Sequence, residues 1–265
     1  MRYKTLYLAP RYQFLYDMGR FLLLSGVLLY LILLSAGKLN YNWQWYRITP
    51  YIFTIDAEGL TPGPLVQGLL VTLKISIISL FISCALGLMT ALFRLSGSFT
   101  ARWLARLYLE IIRNTPLLVQ LFFIYFVIAP VLDIGRIPSA ILALSLFEGA
   151  YASEIFRAGI TSIERGQWEA AESLGLTRML SYRLVILPQA VKRMLPPLTS
   201  QAVSLIKDSA LVSTIAIYDL TMKAQEIISE TYLVFELWFV VAAIYLVITA
   251  SLSILIALME KRLAN

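Results

Sequence analysis

Histidine is absent from this chain of 265 residues, and cysteine occurs once, at Cys84. The lack of histidine excludes catalysis by an imidazole base and metal binding by imidazole. A single cysteine excludes a disulfide framework and thiolate clusters around zinc or iron–sulfur centres. Charge is also scarce, since 14% of the residues are charged, against about 25% in an ordinary soluble domain. The sequence therefore predicts no metal site and no cofactor bound by this chain.

Apolar residues dominate the composition, at 59% of the chain. A soluble fold of this length cannot bury so much apolar surface, which indicates that lipid is the solvent. Six apolar runs predict an all-α polytopic membrane protein with about six transmembrane helices. The first follows a basic segment without a clear cleavage site, so we interpret it as a retained anchor and not as a signal peptide. The runs are 21–37, 75–93, 114–132, 137–147, 194–206 and 237–259.

The basic residues are distributed unevenly along the chain. Of the 22 lysines and arginines, 16 fall in four connecting or terminal segments. The positive-inside rule places these segments, and both termini, in the cytoplasm. The net charge of +6 is then mainly an orientation signal, and binding to nucleic acid is not predicted. The four segments are 1–20, 94–113, 157–193 and 260–265.

The longest cytoplasmic connection, residues 161–190, has an amphipathic helical pattern. Gly175 permits a tight turn within it, and Pro188 is expected to end the helix that follows. The pattern predicts a short helix, a glycine turn and a second short helix, suited to docking into a groove of another protein. An ordinary cytoplasmic linker is the alternative that the pattern leaves open. The residues of the predicted apolar side are Trp168, Ala171, Leu174 and Leu176.

A family resemblance lies in the same connection. Glu169, Ala170 and Ala171 are followed after three residues by Gly175, and Leu187 and Pro188 come after eleven intervening residues. This spacing resembles the EAA loop, which marks the integral-membrane permease subunits of ATP-binding-cassette (ABC) importers. Val185 replaces the more usual isoleucine of that loop. Three further segments resemble permeases for histidine, glutamine, glutamate, arginine and opines: 110–120, 154–160 and 204–211.

The resemblance implies the transmembrane domain of a type I ABC importer over residues 64–265, in the bacterial cytoplasmic (inner) membrane. Residues 1–63 then form an N-terminal cytoplasmic segment, an extra anchor helix and an external aromatic loop. The implied partners are two ABC ATPase subunits, a second permease subunit that is identical or homologous, and a periplasmic or extracellular amino-acid-binding protein. The implied residues that couple the chain to the ATPase are Glu169, Ala170, Ala171, Gly175, Leu187 and Pro188.

ATP chemistry is expected in a separate chain. This sequence has no Gly-x4-Gly-Lys-Ser/Thr phosphate loop. We therefore expect a transport subunit and not an enzyme, with ATP and Mg²⁺ bound by the partner ATPase.

Glu148 directly follows, and ends, the apolar run 137–147 of the fourth predicted span. A charge near the bilayer centre costs roughly 2.5–3.5 kcal/mol, so such a residue usually faces a cavity or a partner. As a substrate contact, Glu148 favours a basic amino acid; the alternative is a structural pair with another helix. Glu154 is expected to pair with Arg157, three residues on, and Pro116 is expected to kink the third span. Further pathway candidates are Asn114, Thr115, Gln120, Lys207 and Asp208.

Other functions are weighed against a basic amino-acid importer. An importer of the same class for glutamate, glutamine or a broad range of amino acids stays open. An ion-coupled secondary transporter would use intramembrane acids and often shows inverted repeats, but no repeat is found and the loop would be unexplained. An intramembrane enzyme would need a catalytic constellation that the spans lack.

Overall fold

The computed structural model describes residues 10–38, 41–56 and 59–264. The chain divides into two compact units between Gln44 and Trp45. In its described residues the first unit contains one helix, α1 (Pro10–Lys38), which includes the whole of the predicted anchor run. Its described side chains from Phe21 to Leu31 are exposed, as expected for a helix that contacts lipid. That α1 crosses the membrane stays a prediction.

The second unit begins earlier than the predicted domain boundary after residue 63. The reason is local packing, because Ile48 is buried in the same apolar cluster as Leu65 and Leu220. The unit opens with a 3-10 turn (Trp45–Arg47), helix α2 (Thr49–Ile52) and an antiparallel hairpin of β1 (Phe53–Asp56) and β2 (Gly59–Pro62). The helices that follow are α3 (Pro64–Leu95), α4 (Phe99–Arg113), α5 (Leu117–Phe123), α6 (Ala129–Leu132), α7 (Arg136–Thr161), α8 (Arg165–Ser173), α9 (Arg178–Ser181), α10 (Leu187–Asp208), α11 (Leu220–Thr231) and α12 (Val234–Ala264).

Three helices in the described part of the chain are long and apolar enough to cross a membrane: α3, α7 and Val234–Met259 of α12. Helix α4 and the stretch Leu117–Leu132 qualify together as a fourth candidate, bent by 106°. The predicted kink at Pro116 is therefore confirmed, since α4 ends before it and α5 begins after it. The predicted fourth span extends well past Glu148 within the continuous helix α7. The run 194–206 forms part of α10, which does not qualify alone.

Helices α3 and α7 form the centre of the second unit. Two contacts show that they run in the same direction. Near their middles, Ser145 Oγ donates to the carbonyl of Ser79 over 3.4 Å, and towards both C-terminal ends Arg94 lies 2.5 Å from Glu154. A Cβ atom added to Gly87 would lie 2.7 Å from the Cβ of Ala152. Small residues of this kind allow the close backbone approach that is typical of packed membrane helices.

Two π-helical segments, Ile124–Ile128 and Tyr182–Ile186, each precede a helix with proline in its first turn. The prediction that Pro188 ends its helix is therefore wrong. The helical path continues from α9 through the π segment into α10. The π turn lies directly before the proline, whose ring and missing N–H disturb the regular α-helical hydrogen bonding.

Candidate functional site

The predicted helix–glycine turn–helix is present in the connection between α7 and α10. Helix α8 ends in a left-handed turn at Gly175, whose φ is 72°. The N–H of Gly175 donates to Glu172 O (2.9 Å) and that of Leu176 to Ala171 O (3.1 Å). This pair of bonds is the Schellman arrangement, in which glycine avoids the strain of a positive φ. Gly175 therefore sets the direction in which the loop leaves α8.

One side of the loop is packed against the helices beside it. Ala171 is buried, and the Trp168 ring meets the Tyr182 ring edge-on at 4.7 Å. The prediction that Leu174 shares this packed side is wrong, because its side chain is 79% exposed. Leu174 is the C-cap residue of α8, one position past its last helical residue, where the chain turns away towards Gly175.

The other side of the loop is accessible. Glu169 forms an exposed ion pair with Arg165 of the same helix at 2.9 Å. Leu174 and Met179 add large apolar side chains to this surface, each more than three-quarters exposed. Large exposed apolar side chains among charged ones are typical of a protein-binding surface. The other exposed residues of the predicted coupling set are Ala170, Gly175, Leu187 and Pro188.

Glu148 lies inside the helix bundle and is 1% exposed. The side-chain amide of Gln201 on α10 donates to Glu148 Oε2. The carboxyl of Asp208, seven residues further along α10, also faces Glu148. Among the residues that the structure describes, no N–H or hydroxyl group donates to the buried Glu148 Oε1, although the Asp208 carboxyl lies within hydrogen-bonding reach of the Glu148 carboxyl. No ion pair in the described part of the chain includes Glu148. This acidic site therefore has an unused acceptor.

The structure groups only some of the predicted pathway residues. Asp208 lies beside Glu148, whereas Lys207 is exposed and is not part of this site. The structure adds Gln201, which the sequence analysis missed; its spacing of seven residues from Asp208 is the signal for a shared helix face.

The polar residues near Pro116 instead cap the end of α4. The amide of Gln120 donates to Ile112 O (2.7 Å) and to Thr115 O (3.0 Å). The amide of Asn114 donates to Glu110 O over 2.8 Å. These side chains replace the hydrogen bonds that the helix loses at its end. No hydrogen bond joins them to Glu148 within the described ranges.

A family model described as "Binding-protein-dependent transport system inner membrane component" matches residues 83–265. This chain belongs to that family. It is therefore a multi-pass inner-membrane permease subunit, a non-catalytic part of an ABC importer that works with ATPase and binding-protein partners. The alternative of an ion-coupled secondary carrier is excluded by this membership.

Individual relatives support the same placement of this permease. It is 39% identical over 202 residues to the "Glutamine transport system permease protein GlnP" of Escherichia coli K12, covering 75% of this chain and 92% of that protein. It is 41% identical over 198 residues to the "L-cystine transport system permease protein TcyB" of Bacillus subtilis 168, covering 74% and 85%.

Solved structures agree with the fold of the permease. The "Crystal structure of an amino acid ABC transporter with histidines" matches with a TM-score of 0.71 and 41% identity, over 75% of this chain and 94% of that one. The methionine transporter MetNI matches with a TM-score of 0.64 at 19% identity, over 76% and 96%. The second match supports the fold alone. The predicted type I ABC importer architecture is confirmed.

Proposed function

We propose that this permease conducts a basic amino acid into the cell and that Glu148 contacts the cationic group of that substrate. The observation that carries the proposal is the buried Oε1 atom of Glu148, which receives no N–H or hydroxyl donor and no cation from the described residues, while a second carboxyl, that of Asp208, lies beside it. A buried carboxylate oxygen without a donor is costly, and a substrate ammonium or guanidinium supplies the missing donor.

The surroundings of Glu148 support a cationic substrate over an anionic one. Gln201 donates to Oε2 and leaves Oε1 without a donor. Asp208 adds a second acidic group beside it. Two acids and one neutral amide attract a positive group and repel a second carboxylate. A substrate with a cationic side chain gains more from this site than one with only its α-ammonium group.

A second candidate is glutamine, because one relative at 39% identity is a glutamine permease. In that case Glu148 contacts the α-ammonium group, which every amino acid carries, and selectivity comes from other residues. Transport of glutamine but not arginine would favour this candidate.

Energy coupling is proposed to run through the loop that follows α7. The exposed positions Glu169, Ala170 and Gly175 face away from the packed side, and two ATPase copies would each receive one such loop from a permease pair. Leu187 and Pro188 lie at the start of α10, so a push on the loop passes directly into the helix that carries Gln201 and Asp208. In this arrangement both termini are cytoplasmic.

The test is uptake by the assembled transporter in proteoliposomes, with arginine, glutamine and glutamate as separate substrates. Glu148→Gln keeps the shape of the side chain but removes its charge. We expect it to lower arginine uptake at least tenfold, with assembly and basal ATPase activity retained. Glu230→Gln is the matched control, because Glu230 is exposed on α11. Arginine uptake that survives Glu148→Gln would refute the role of Glu148.

A further inference from the structure

Three arginines contact one glutamate, Glu154, near the C-terminal end of α7. This end leads into the connection 161–190, which we call the coupling loop. Glu154 Oε1 accepts from Arg94 at 2.5 Å and from Arg113 at 3.1 Å. Its other oxygen, Oε2, accepts from Nε and Nη2 of Arg157, at 3.2 and 3.1 Å. The sequence predicts only the last of these pairs. The cluster joins α3, α4 and α7, and one carboxylate leaves two of its three positive charges unbalanced.

The excess charge extends along α4. This helix adds Arg102 and Arg106 but only one acid, Glu110, whose Oε2 accepts from Asn114 at 2.9 Å. The patch, which we call the arginine patch, therefore contains five arginines and two glutamates. Its arginines are Arg94, Arg102, Arg106, Arg113 and Arg157.

Arg113 is the arginine of the Glu154 cluster best placed to bind a further anion. Its side chain is 45% exposed, against 22% for Arg94 and 35% for Arg157. It lines a polar cavity of about 290 Å³ together with Glu110, Asn114 and Tyr151. A guanidinium has five N–H donors, and the contacts of Arg113 with Glu154 and the Tyr151 ring leave several of them available.

Apolar surface lies directly beside this cavity. Helix α4 packs Ala105 and Leu109 inward, but Trp103, Leu107 and Ile111 on the same helix are exposed. Ile111 also lines an apolar cavity of about 370 Å³ together with Val119 and Phe123 from the other side of the bend. An amphipathic helix with exposed tryptophan and leucine and interspersed arginines matches the chemistry of a membrane interface.

We propose that the arginine patch binds an anionic phospholipid of the inner leaflet, with its headgroup phosphate at Arg113 and its acyl chains against the exposed apolar side of α4. The charge excess selects an anion, because planar guanidinium groups bind phosphate through paired hydrogen bonds. The adjoining apolar surface selects a lipid over a free phosphate ion. The proposal does not depend on the identity of the transported amino acid.

The test compares spin-labelled phosphatidylglycerol with spin-labelled phosphatidylcholine bound to the complete transporter in phosphatidylcholine bilayers. Electron paramagnetic resonance measures the immobilised fraction of each lipid. We expect phosphatidylglycerol to be preferred. Arg113→Gln should reduce that preference about fivefold, which corresponds to the ~1 kcal/mol that one basic residue contributes near an anionic surface. Arg136→Gln removes the same charge from the opposite end of α7 and should leave the preference intact.

Two further measurements separate the alternatives. Glu154→Gln raises the charge excess and should strengthen the preference for phosphatidylglycerol, an opposite effect that loss of folding cannot mimic. Competition by millimolar inorganic phosphate would show that a free anion occupies the patch and would overturn the lipid assignment. Equal preference in wild type and Arg113→Gln would overturn it as well, as would no preference at all, the result expected if a second permease subunit covers the patch.

Discussion

The contact between α3 and α7 at Gly87 offers the sharpest test of the packing. A Cβ atom at this position would lie 2.7 Å from Ala152 Cβ and 3.0 Å from both the Gly149 carbonyl oxygen and the Ser153 nitrogen. Two of these three obstacles are backbone atoms in the middle of a helix, so side-chain rotation cannot relieve them. Gly87→Ala must therefore push the two helices apart.

Inserting a methyl group into a well-packed core typically costs about 1–3 kcal/mol. For a protein of this size, each kcal/mol lowers the melting temperature by about 2–4 °C. We therefore expect Gly87→Ala to melt about 2–12 °C below wild type when the purified permease is followed by a thermal unfolding assay in detergent.

Two further variants make the Gly87 measurement specific. Gly97→Ala introduces the same methyl group where no atom lies within 4 Å, and it should melt like wild type. Adding Ala152→Gly to Gly87→Ala removes the shortest contact and should restore part of the loss, although the two backbone contacts persist. Equal melting temperatures for Gly87→Ala and Gly97→Ala would show that α3 and α7 do not approach each other as described.

Two other predictions concern the coupling loop and a buried acid. Gly175 has a φ of 72° and open space around it, so Gly175→Ala should destabilise the turn by about 1 kcal/mol through backbone strain alone and speed amide hydrogen exchange in the loop. Gly166→Ala makes the same change in α8, where the backbone is unstrained, and should not speed exchange. Equal exchange in the two variants would contradict the left-handed turn at Gly175. Burial raises the pKa of the Asp219 carboxyl, the cap of α11, from 3.8 to about 6 against three backbone N–H donors. The folded state then binds this proton more tightly than the unfolded state. The stability that protonated Asp219 contributes is therefore lost as the pH rises through 6, by about 1 kcal/mol between pH 5 and 7.5. Asp219→Asn keeps a capping side chain and should show a smaller decline in thermal stability over this range; an identical decline would disprove the raised pKa of Asp219.

The long apolar helices and the glycine turn of the coupling loop were predictable because their causes are local. Hydropathy over about twenty residues is enough to indicate α3 and the long part of α12. A glycine after an amphipathic helix is enough to indicate the turn at Gly175. The same local reasoning failed at Leu174 and Pro188, because it could not indicate where α8 ends or that a π turn precedes the proline.

The sequence by itself determined the membrane environment, the family resemblance and the presence of an acid inside a span. The tertiary structure alone decided which groups meet: Gln201 and Asp208 at Glu148, and Arg94 and Arg113 at Glu154. The physical reason is that these groups come from helices 41 to 60 residues apart along the chain. Periodicity assigns a residue to a face of its own helix, but only the packing of helices decides which other face lies opposite.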